Sequence, residues 1–461
     1  MPVADRSAAA ALGAALRRLD YTEDALDDLL GEDSHSSRPA DLLVHARRLP
    51  QTKQATAIRL LFLARPVPRD DAVRALGERG VAALAATELA EVGQDVVPLA
   101  RVIPVHDLLL AADGFSRGDD DPPDYVAPYT PTSRLCDALT PRPRIRSALD
   151  VGTGSGVHAL LAARHAGRVV ATDVNPRALA FTELNAALND LGNVETRRGG
   201  LFDPAGDETF DLITCNAPFV VSPETRWAYR DTELPGDELS ALVVREAAAR
   251  LADGGFATLL VSWLASDPER PHERALEWVE QTGCDAWILP VYAADPLEHA
   301  AGWNDHLADD PDEFSDAVDR WVAYLDELGA RWVSEGAILL HRRAGAVSAR
   351  VDEVDEDELE MADRQLRRAF ANRAARLRGR ELLRARLSLA PTARVEQVAK
   401  RGKVVATRVV LEEGTHPVVD VPPRLAGPLV KLDGKTRFRF EQRDARYLRE
   451  LLELGILAVR P

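Results

Sequence analysis

The stretch Asp150-Val-Gly-Thr-Gly-Ser-Gly156 is the feature that most restricts how this chain can fold. It joins an apolar run, Ser147–Val151, to a run with helical character, Val157–Ala166. Glycines at such a junction let the backbone approach a ligand closely and adopt conformations that other residues avoid. The first turn of the following helix then offers free N–H groups. The pattern predicts an α/β sheet whose ligand lies at the carboxyl ends of the strands.

Strand-like and helix-like runs alternate from this loop onward, which predicts a parallel sheet with helices on both faces. The predicted strands are Ser147–Val151, Arg168–Asp173, Asn193–Arg197, Phe210–Cys215, Phe256–Val261, Cys284–Leu289 and Gly336–His341. The predicted helices are Val157–Ala166, Pro176–Leu191, Asp237–Leu251, Glu269–Gln281 and Asp312–Leu328.

The loop spacing separates two kinds of nucleotide-type ligand. Asp173 ends the second strand, 23 residues after Asp150, where its carboxylate can accept hydrogen bonds from ribose hydroxyls. The Gly-x-Gly-x-Gly spacing, with an acid two residues earlier, resembles the S-adenosylmethionine loop of class I methyltransferases. It differs from the Gly-x-Gly-x-x-Gly of dinucleotide folds, which remain an alternative together with a turn that binds nothing. The residues predicted to bind the cofactor are Asp150, Gly152, Thr153, Gly154, Gly156, Asp173, Val174, Leu201, Phe202 and Asn216.

A second motif, Asn216-Ala217-Pro218-Phe219, follows the fourth predicted strand. It resembles the Asn-Pro-Pro-Tyr/Phe signature of methyltransferases that modify planar nitrogens. In that family the Asn side chain and the next carbonyl accept hydrogen bonds from the acceptor NH2, and the ring stacks on the acceptor plane. All four residues are therefore predicted to be catalytic. Ala217 replaces the first proline of the signature, which keeps the carbonyl and puts part of the loop's rigidity in question.

The resemblance extends over roughly residues 126–343. The run Thr172–Ala180, with Asn185 and Asn189, and the run Gly200–Asp203 are similar to the "methyltransferase small" group. That group includes glutamine-N5 methyltransferases of release factors and guanine-N2 methyltransferases of ribosomal RNA. It implies a doubly wound, seven-stranded Rossmann-like sheet. The segment that closes over the cofactor in this group corresponds here to Tyr125–Ser133.

Two further segments of this chain resemble a bacterial branch of this group that has extra domains at both ends. The first is Trp227–Asp231 together with Gly236-Asp237, and the second is Thr282–Trp287. Trp227 is a candidate stacking wall beside the acceptor motif. The extent of this resemblance, the polar stretch Ser116–Asp124 and the acidic run Val351–Glu360 together predict three domains, 1–124, 125–345 and 346–461, of which the second is the methyltransferase domain.

The two flanking regions are predicted from composition and pattern. Residues 1–124 are mainly helical, with a strand-like run at Val96–Leu110, and suggest a winged-helix-like domain. A polar linker follows at Ser116–Asp124. Residues 346–461 suggest an α+β domain, again winged-helix-like, with an Arg-rich helical stretch at Leu359–Leu387. Strands are expected around Val404–Leu411 and Thr436–Phe440.

Charge is distributed unevenly along the chain. The net charge is −17, yet residues 361–461 carry 23 Lys+Arg against 11 Asp+Glu, a balance of +12. One interpretation is an Arg-rich genome that loads surfaces with this residue, and the other is a basic module for a polyanion. Three scattered cysteines, no apolar run of 18 residues and no signal-peptide pattern predict a cytoplasmic protein with no metal cluster and no membrane contact.

These features lead to an S-adenosylmethionine-dependent N-methyltransferase acting on nucleic acid, with RNA of the translation apparatus favoured over DNA. A base would be unstacked into the Asn216–Phe219 site. The alternatives are a protein glutamine N5-methyltransferase, whose amide acceptor needs the same loop chemistry, and a small-molecule methyltransferase. A non-catalytic binding module, with Ala217 marking decay of the site, is the alternative from a different class.

Overall fold

The computed structural model describes residues 2–31, 39–116, 121–224, 234–377 and 379–460. The chain divides into two compact units. Unit 1 comprises Met1–Ser133, Arg144–Leu239 and Ala300–Tyr324, and unit 2 comprises Arg134–Pro143, Ser240–His299 and Leu325–Pro461. The three-domain division at 124/125 and 345/346 stays a prediction. Within the described ranges, no helix is long and apolar enough to cross a membrane.

The N-terminal part of unit 1 is built from short helices followed by short antiparallel strands, as predicted. Its elements are α1 (Arg6–Arg18), α2 (Glu23–Leu30), α3 (Pro39–Arg48), α4 (Lys53–Ala57), β1 (Val67–Pro68), α5 (Arg69–Ala86), β2 (Ala90–Val92), β3 (Asp95–Pro98), β4 (Arg101–Val105) and β5 (Leu108–Ala112). Side chains of Asp5, Thr22 and Thr52 cap three of the helices by accepting backbone N–H bonds. The strands form the sheet β1-β3-β2 and the hairpin β4-β5. The winged-helix-like arrangement remains a prediction.

The central part of unit 1 contains the predicted parallel strands. Its elements follow α6 (Pro131–Ala138) and are β6 (Ile145–Val151), α7 (Val157–Ala163), β7 (Ala166–Asp173), α8 (Pro176–Leu188), β8 (Val194–Arg198) and β9 (Phe210–Cys215). β6 pairs in parallel with β7 and with β9, and β7 pairs in parallel with β8. The resulting order, β9-β6-β7-β8, brings the carboxyl ends of β6, β7 and β9 to the same edge.

The second half of the predicted alternation lies mainly in unit 2, except that Ala300–Tyr324 belongs to unit 1. The elements that follow β9 along the chain are α9 (Glu238–Arg250), β10 (Leu251–Ala265), α10 (Glu273–Glu280), β11 (Cys284–Ala294), α11 (Pro296–Trp303), α12 (Pro311–Glu327), β12 (Trp332–Arg342) and β13 (Ala349–Val351). β12 lies between β10 and β11 and is antiparallel to both. This antiparallel last strand belongs to the Rossmann-like methyltransferase fold, so the predicted fold class is confirmed.

The strand count differs from the predicted seven. In the described residues each unit contributes four strands to this fold, and the additional one is β13, which pairs in parallel with β11. The buried carboxylate of Asp285 holds the chain there, because it accepts hydrogen bonds from the backbone and side chain of Ser348 and pairs with Arg343. Strand β13 has only three residues and depends on this tertiary contact. A strand so short shows no periodic pattern in the sequence, and it was therefore not predicted.

The C-terminal part of unit 2 is α+β, as predicted. Its elements are α13 (Asp363–Ala375), α14 (Gly379–Leu382), β14 (Arg386–Leu389), β15 (Ala393–Lys400), β16 (Lys403–Leu411), β17 (Val418–Asp420), α15 (Ala426–Leu429), α16 (Ala445–Glu453) and β18 (Leu457–Arg460). β15, β16 and β17 form one antiparallel sheet, and β14 pairs with β18. The winged-helix-like form of this region stays a prediction.

Two predictions for this region were wrong. The stretch Leu359–Leu387 is not one helix: α13 begins at Asp363, α14 is separate, and Leu387 belongs to β14. Thr436–Phe440 is not a strand. The Asp433 carboxylate accepts hydrogen bonds from the backbone N–H groups of Lys435 and Thr436, which turns the chain where the strand was expected.

Candidate functional site

Asp150 is engaged by the protein itself. Its carboxylate is 1 % exposed and accepts hydrogen bonds from the Thr153 hydroxyl (2.6 Å), the Ala159 backbone N–H (3.1 Å) and the Thr214 hydroxyl (2.7 Å). These donors come from the β6–α7 loop, from α7 and from β9. Asp150 therefore holds the loop between the two strands, and we assign both Asp150 and the buried Thr153 a positioning role.

The loop glycines are needed for two different reasons. Gly152 has φ +66°, and a Cβ there would lie 3.2 Å from the Cβ of Ala217. Gly154 has φ +57°, but a Cβ there would meet nothing within 4 Å. Gly156, at φ +86°, packs against Thr182 on α8. The loop is thus closed at its first and last glycines and faces open space at Gly154.

Asp173 lies directly against that open part of the loop. Its carboxylate accepts hydrogen bonds from the backbone N–H of Gly154 (2.9 Å) and of Asn175 (2.8 Å). Burial is the main effect on its pKa, which lies above the usual range of an aspartic acid. The next residue, Val174, is 52 % exposed at the end of β7. A carboxylate and an exposed aliphatic surface are therefore adjacent beside the loop.

Two further residues predicted to bind the cofactor, Leu201 and Phe202, lie in the loop after β8. Leu201 has φ +44°, and its carbonyl accepts a hydrogen bond from the Thr172 hydroxyl (3.0 Å). Phe202 is buried in the core, so its ring anchors the loop to the protein interior. The residues around Gly154 fit S-adenosylmethionine in charge and polarity, since they offer a carboxylate, an aliphatic surface and space for a ligand.

The acceptor motif begins where β9 ends, beside the cofactor loop. Asn216 is half-buried, and its amide donates a hydrogen bond of 3.5 Å to the hydroxyl of Thr132. Ala217 is buried against Gly152, while Pro218 and Phe219 are half-buried. Thr132 belongs to Tyr125–Ser133, the segment expected to close over the cofactor. The structure therefore brings the two motifs and this segment together.

Ala217 is buried where the cofactor loop comes closest to the acceptor motif. A Cβ at Gly152 would lie 3.2 Å from the Cβ of Ala217 and 3.3 Å from its Cα. The alanine is therefore part of a close contact between the two motifs.

Two asparagines on α8 carry contacts that sequence reasoning did not predict. The Asn185 amide donates to the carbonyls of Ala111 (2.7 Å) and Ser155 (2.8 Å), and its carbonyl accepts from the Ala111 N–H (2.7 Å). Asn189 makes the corresponding pair of bonds with Leu109. Asparagines four residues apart share one helix face, which was the available signal. They join strand β5 to α8 and, through Ser155, to the cofactor loop.

Helix α12 supports the chain that follows the acceptor motif. Val220 packs in a buried cluster with Trp321, whose indole N–H donates to the Glu224 carboxylate (3.3 Å). The Tyr324 hydroxyl accepts the N–H of Gly236 (2.8 Å). The sequence predicted α12 as a helix but not this contact. Trp227, the candidate stacking wall, lies outside the described residues.

Comparison with known proteins identifies two regions of the chain. Residues 130–263 match the family model described as the methyltransferase small domain. Residues 18–100 match a model described only as a domain of unknown function. The first match spans both predicted motifs, from Thr132 to the end of β9 and beyond.

Three curated relatives are similar to part of this chain. The release factor glutamine methyltransferase of Geobacter sulfurreducens is 34 % identical, over 26 % of this chain and 46 % of the relative. The ribosomal protein uL3 glutamine methyltransferase of Bradyrhizobium diazoefficiens is 30 % identical, over 33 % and 52 %. The ribosomal protein L11 methyltransferase of Lactobacillus johnsonii is 41 % identical, over 15 % and 22 %. The chain thus spans about half the length of these relatives, or less. Residues 130–263 of this chain thus match the methyltransferase small domain, which confirms the predicted resemblance.

Proposed function

We propose that this chain transfers a methyl group from S-adenosylmethionine to a planar side-chain amide of a protein, a glutamine of a translation protein being the favoured acceptor. The observation that carries the proposal is the contact between the two motifs: Ala217 of Asn216–Phe219 packs against Gly152 of the cofactor loop. A group bound at the acceptor motif is thereby placed beside the loop.

The cofactor, when bound, supplies an electrophilic methyl group on a sulfonium sulfur. Asp173 would accept hydrogen bonds from its ribose hydroxyls, and Val174 would pack against the adenine. Asp150 and Thr153 keep the loop in place. We thus propose that Asp173 and Val174 contact the cofactor directly and that Asp150 and Thr153 act through the loop.

An amide nitrogen is a weak nucleophile, so its orientation decides the rate. We assign the Asn216 side-chain oxygen and the Ala217 carbonyl the role of accepting the two N–H bonds of the acceptor amide. This directs the nitrogen lone pair at the methyl group and stabilises the positive charge that develops on nitrogen. The Thr132 hydroxyl, which accepts from the Asn216 NH2, orients the amide so that its oxygen remains for the acceptor. Phe219 would pack on the amide plane.

The relatives favour a protein amide over a nucleic-acid base. Two of those aligned are named as glutamine methyltransferases and the third as a ribosomal protein methyltransferase. An RNA acceptor, the leading hypothesis from the sequence, receives no support from these names. A translation protein as acceptor would place the activity in the cytoplasm.

The test is transfer of a labelled methyl group by the full chain into fractionated protein, RNA and metabolites of a bacterial extract. We expect label in protein, released on hydrolysis as N5-methylglutamine. Asn216→Ala should abolish transfer while binding of the cofactor persists. Label in RNA, or full activity of the Asn216→Ala variant, would contradict the proposal.

A further inference from the structure

One end of the β15–β16 hairpin is exposed on both of its faces. Residues 397–405 are all solvent-exposed, and these nine residues are called the hairpin end below. Successive side chains of a strand point to opposite faces. Continuous exposure therefore means that neither face of the hairpin end is covered by the described residues of unit 2. Closer to the sheet, Thr407, Val409 and Leu411 are buried.

Positive charge is concentrated in the hairpin end. It contains Lys400, Arg401 and Lys403 and no acidic residue. None of the three side chains forms an ion pair with a residue that the structure describes. Arginines elsewhere in the same sheet are neutralised, since Arg394 pairs with Glu412 and Arg408 pairs with Asp420. The excess charge of the C-terminal region is thus partly neutralised within the fold and left free here.

This arrangement is unfavourable for the hairpin itself. Lys400 and Lys403 are directly opposite each other across the strands, where like charges destabilise the pair. Arg401 has φ +51° and Gly402 has φ +76°, as in a two-residue type I′ turn. The first position of that turn normally carries Asn, Asp or Gly, because other residues are strained at positive φ. Folding does not explain three cations at this turn, whereas a bound polyanion does.

The apolar side chains beside these cations indicate whether the polyanion is single-stranded or double-stranded. Val398, Val404 and Val405 are 52 %, 41 % and 58 % exposed, and β15 and β16 contain no aromatic residue. Single-stranded nucleic acids are bound chiefly by stacking on aromatic rings, which are missing from these two strands. Cations on a two-stranded ribbon suit the phosphate backbone of a duplex, and double-stranded RNA is recognised mostly by its shape and by such backbone contacts.

We propose that the hairpin end binds the phosphate backbone of double-stranded RNA, with Lys400, Arg401 and Lys403 as the phosphate contacts. The choice of RNA over DNA rests on the proposed function, because a translation protein is encountered among structured RNA. RNA is then a docking partner and not the methyl acceptor.

The experiment compares the full chain with a variant in which Lys400, Arg401 and Lys403 are each changed to Gln. Binding to a 5′-labelled RNA hairpin of about 20 base pairs is followed by fluorescence anisotropy across a salt series. We expect the variant to bind at least about ten-fold more weakly, and the slope of log K against log salt to fall by about three, one for each phosphate that is no longer neutralised. Because Lys400 and Lys403 repel each other, the variant should unfold at the same temperature or a higher one.

A control variant carries Gln at Arg47, Lys53 and Arg79, which are exposed on helices of unit 1. It has the same change of net charge and should keep the RNA affinity and the salt slope. Unchanged RNA binding by the hairpin variant, or equal affinity of the full chain for a DNA duplex of the same sequence, would overturn the proposal. Asn216→Ala should leave RNA binding intact, so this proposal and the proposed methyl transfer can fail separately.

Discussion

Asn185 is hydrogen-bonded to Ser155 of the cofactor loop and, through the same side chain, to both backbone groups of Ala111. The side chain is fully buried, and its amide uses both N–H groups and the carbonyl oxygen. Strand β5, helix α8 and the loop are therefore joined by one residue. This connection explains why the N-terminal region and the parallel strands β6–β9 belong to one compact unit.

Replacing Asn185 with Ala should weaken cofactor binding as well as stability. It would leave the Ala111 N–H and two carbonyls buried without partners, which costs about 2–4 kcal/mol of unfolding free energy. We expect cofactor affinity to fall by about ten-fold or more as the loop loosens, because about 1.4 kcal/mol corresponds to one factor of ten. Thermal unfolding and calorimetric titration with S-adenosylhomocysteine measure the two effects.

The matched control for Asn185 is Asn189→Ala. Asn189 makes the same pair of bonds with Leu109 but does not contact the loop. The variant should lose stability by about 1–3 kcal/mol and keep the affinity for the cofactor. Equal losses of affinity in both variants would mean that Asn185 acts through general stability alone.

Alanine substitutions at Gly152 and Gly154 should have different effects, the first mainly on loop packing and the second mainly on ligand binding. Alanine at either position has a positive φ, which costs about 1–2 kcal/mol. At Gly152 the new Cβ would also press on Ala217, so we expect a larger loss of stability and loss of methyl transfer. At Gly154 it would project into open space, so binding should weaken while the melting temperature falls only by the amount that the positive φ causes. A Gly154→Ala variant with unchanged affinity would place the cofactor elsewhere.

Cofactor affinity should decrease on acidification through Asp173. Burial raises the pKa of this carboxyl group, so it takes up a proton at a higher pH than an ordinary aspartic acid. The protonated form is a weaker acceptor for ribose hydroxyls, and affinity should fall as the pH drops through the raised pKa. Stability changes in the opposite sense, because the buried charge opposes folding fully above the raised pKa, and this cost decreases as the pH falls from there to the ordinary pKa of an aspartic acid.

Titration calorimetry at a series of pH values checks this dependence. The Asp173→Asn variant should bind more weakly at neutral pH and show little change on acidification. If the variant kept the same acid-dependent loss as the unaltered chain, another group would be responsible.

Tyr324 should affect the acceptor rather than the cofactor. Tyr324→Phe removes the hydroxyl that accepts the N–H of buried Gly236, at a cost of about 1–2 kcal/mol. Because this contact lies on the chain that follows the acceptor motif, we expect a higher KM for the acceptor and an unchanged Kd for the cofactor. Steady-state kinetics with the acceptor protein fraction gives the KM, and calorimetric titration with S-adenosylhomocysteine gives the Kd. A rise in cofactor Kd with no change in acceptor KM would argue against this assignment.

Local patterns were sufficient to predict the strand–loop–helix at Asp150–Gly156, the carboxylate at the end of β7 and the motif after β9. Each depends on neighbours in sequence: the glycines on backbone freedom, the strands on apolar runs, and the carboxyl ends on the direction of parallel strands. The alternation of elements likewise predicted the fold class, since short-range periodicity determines which segments form strands and helices.

Contacts between residues distant in sequence were decided only by the tertiary structure. Examples are Asn185 with Ala111, Trp321 with Glu224, and Asp285 with Ser348, which brings β13 beside β11. Local periodicity carries no information about such partners, because each of them lies dozens of residues away along the chain.

The +12 charge of residues 361–461 was visible in the sequence, but its location was not. Arg368 is neutralised by Glu413, an acid that lies far along the chain. Lys400, Arg401 and Lys403 have no ion-pair partner in the described part of the chain, because a tight turn places them beyond the packed sheet. The local sequence determines the conformation of each segment. Which basic side chains form ion pairs depends on the residues that the tertiary structure brings next to them.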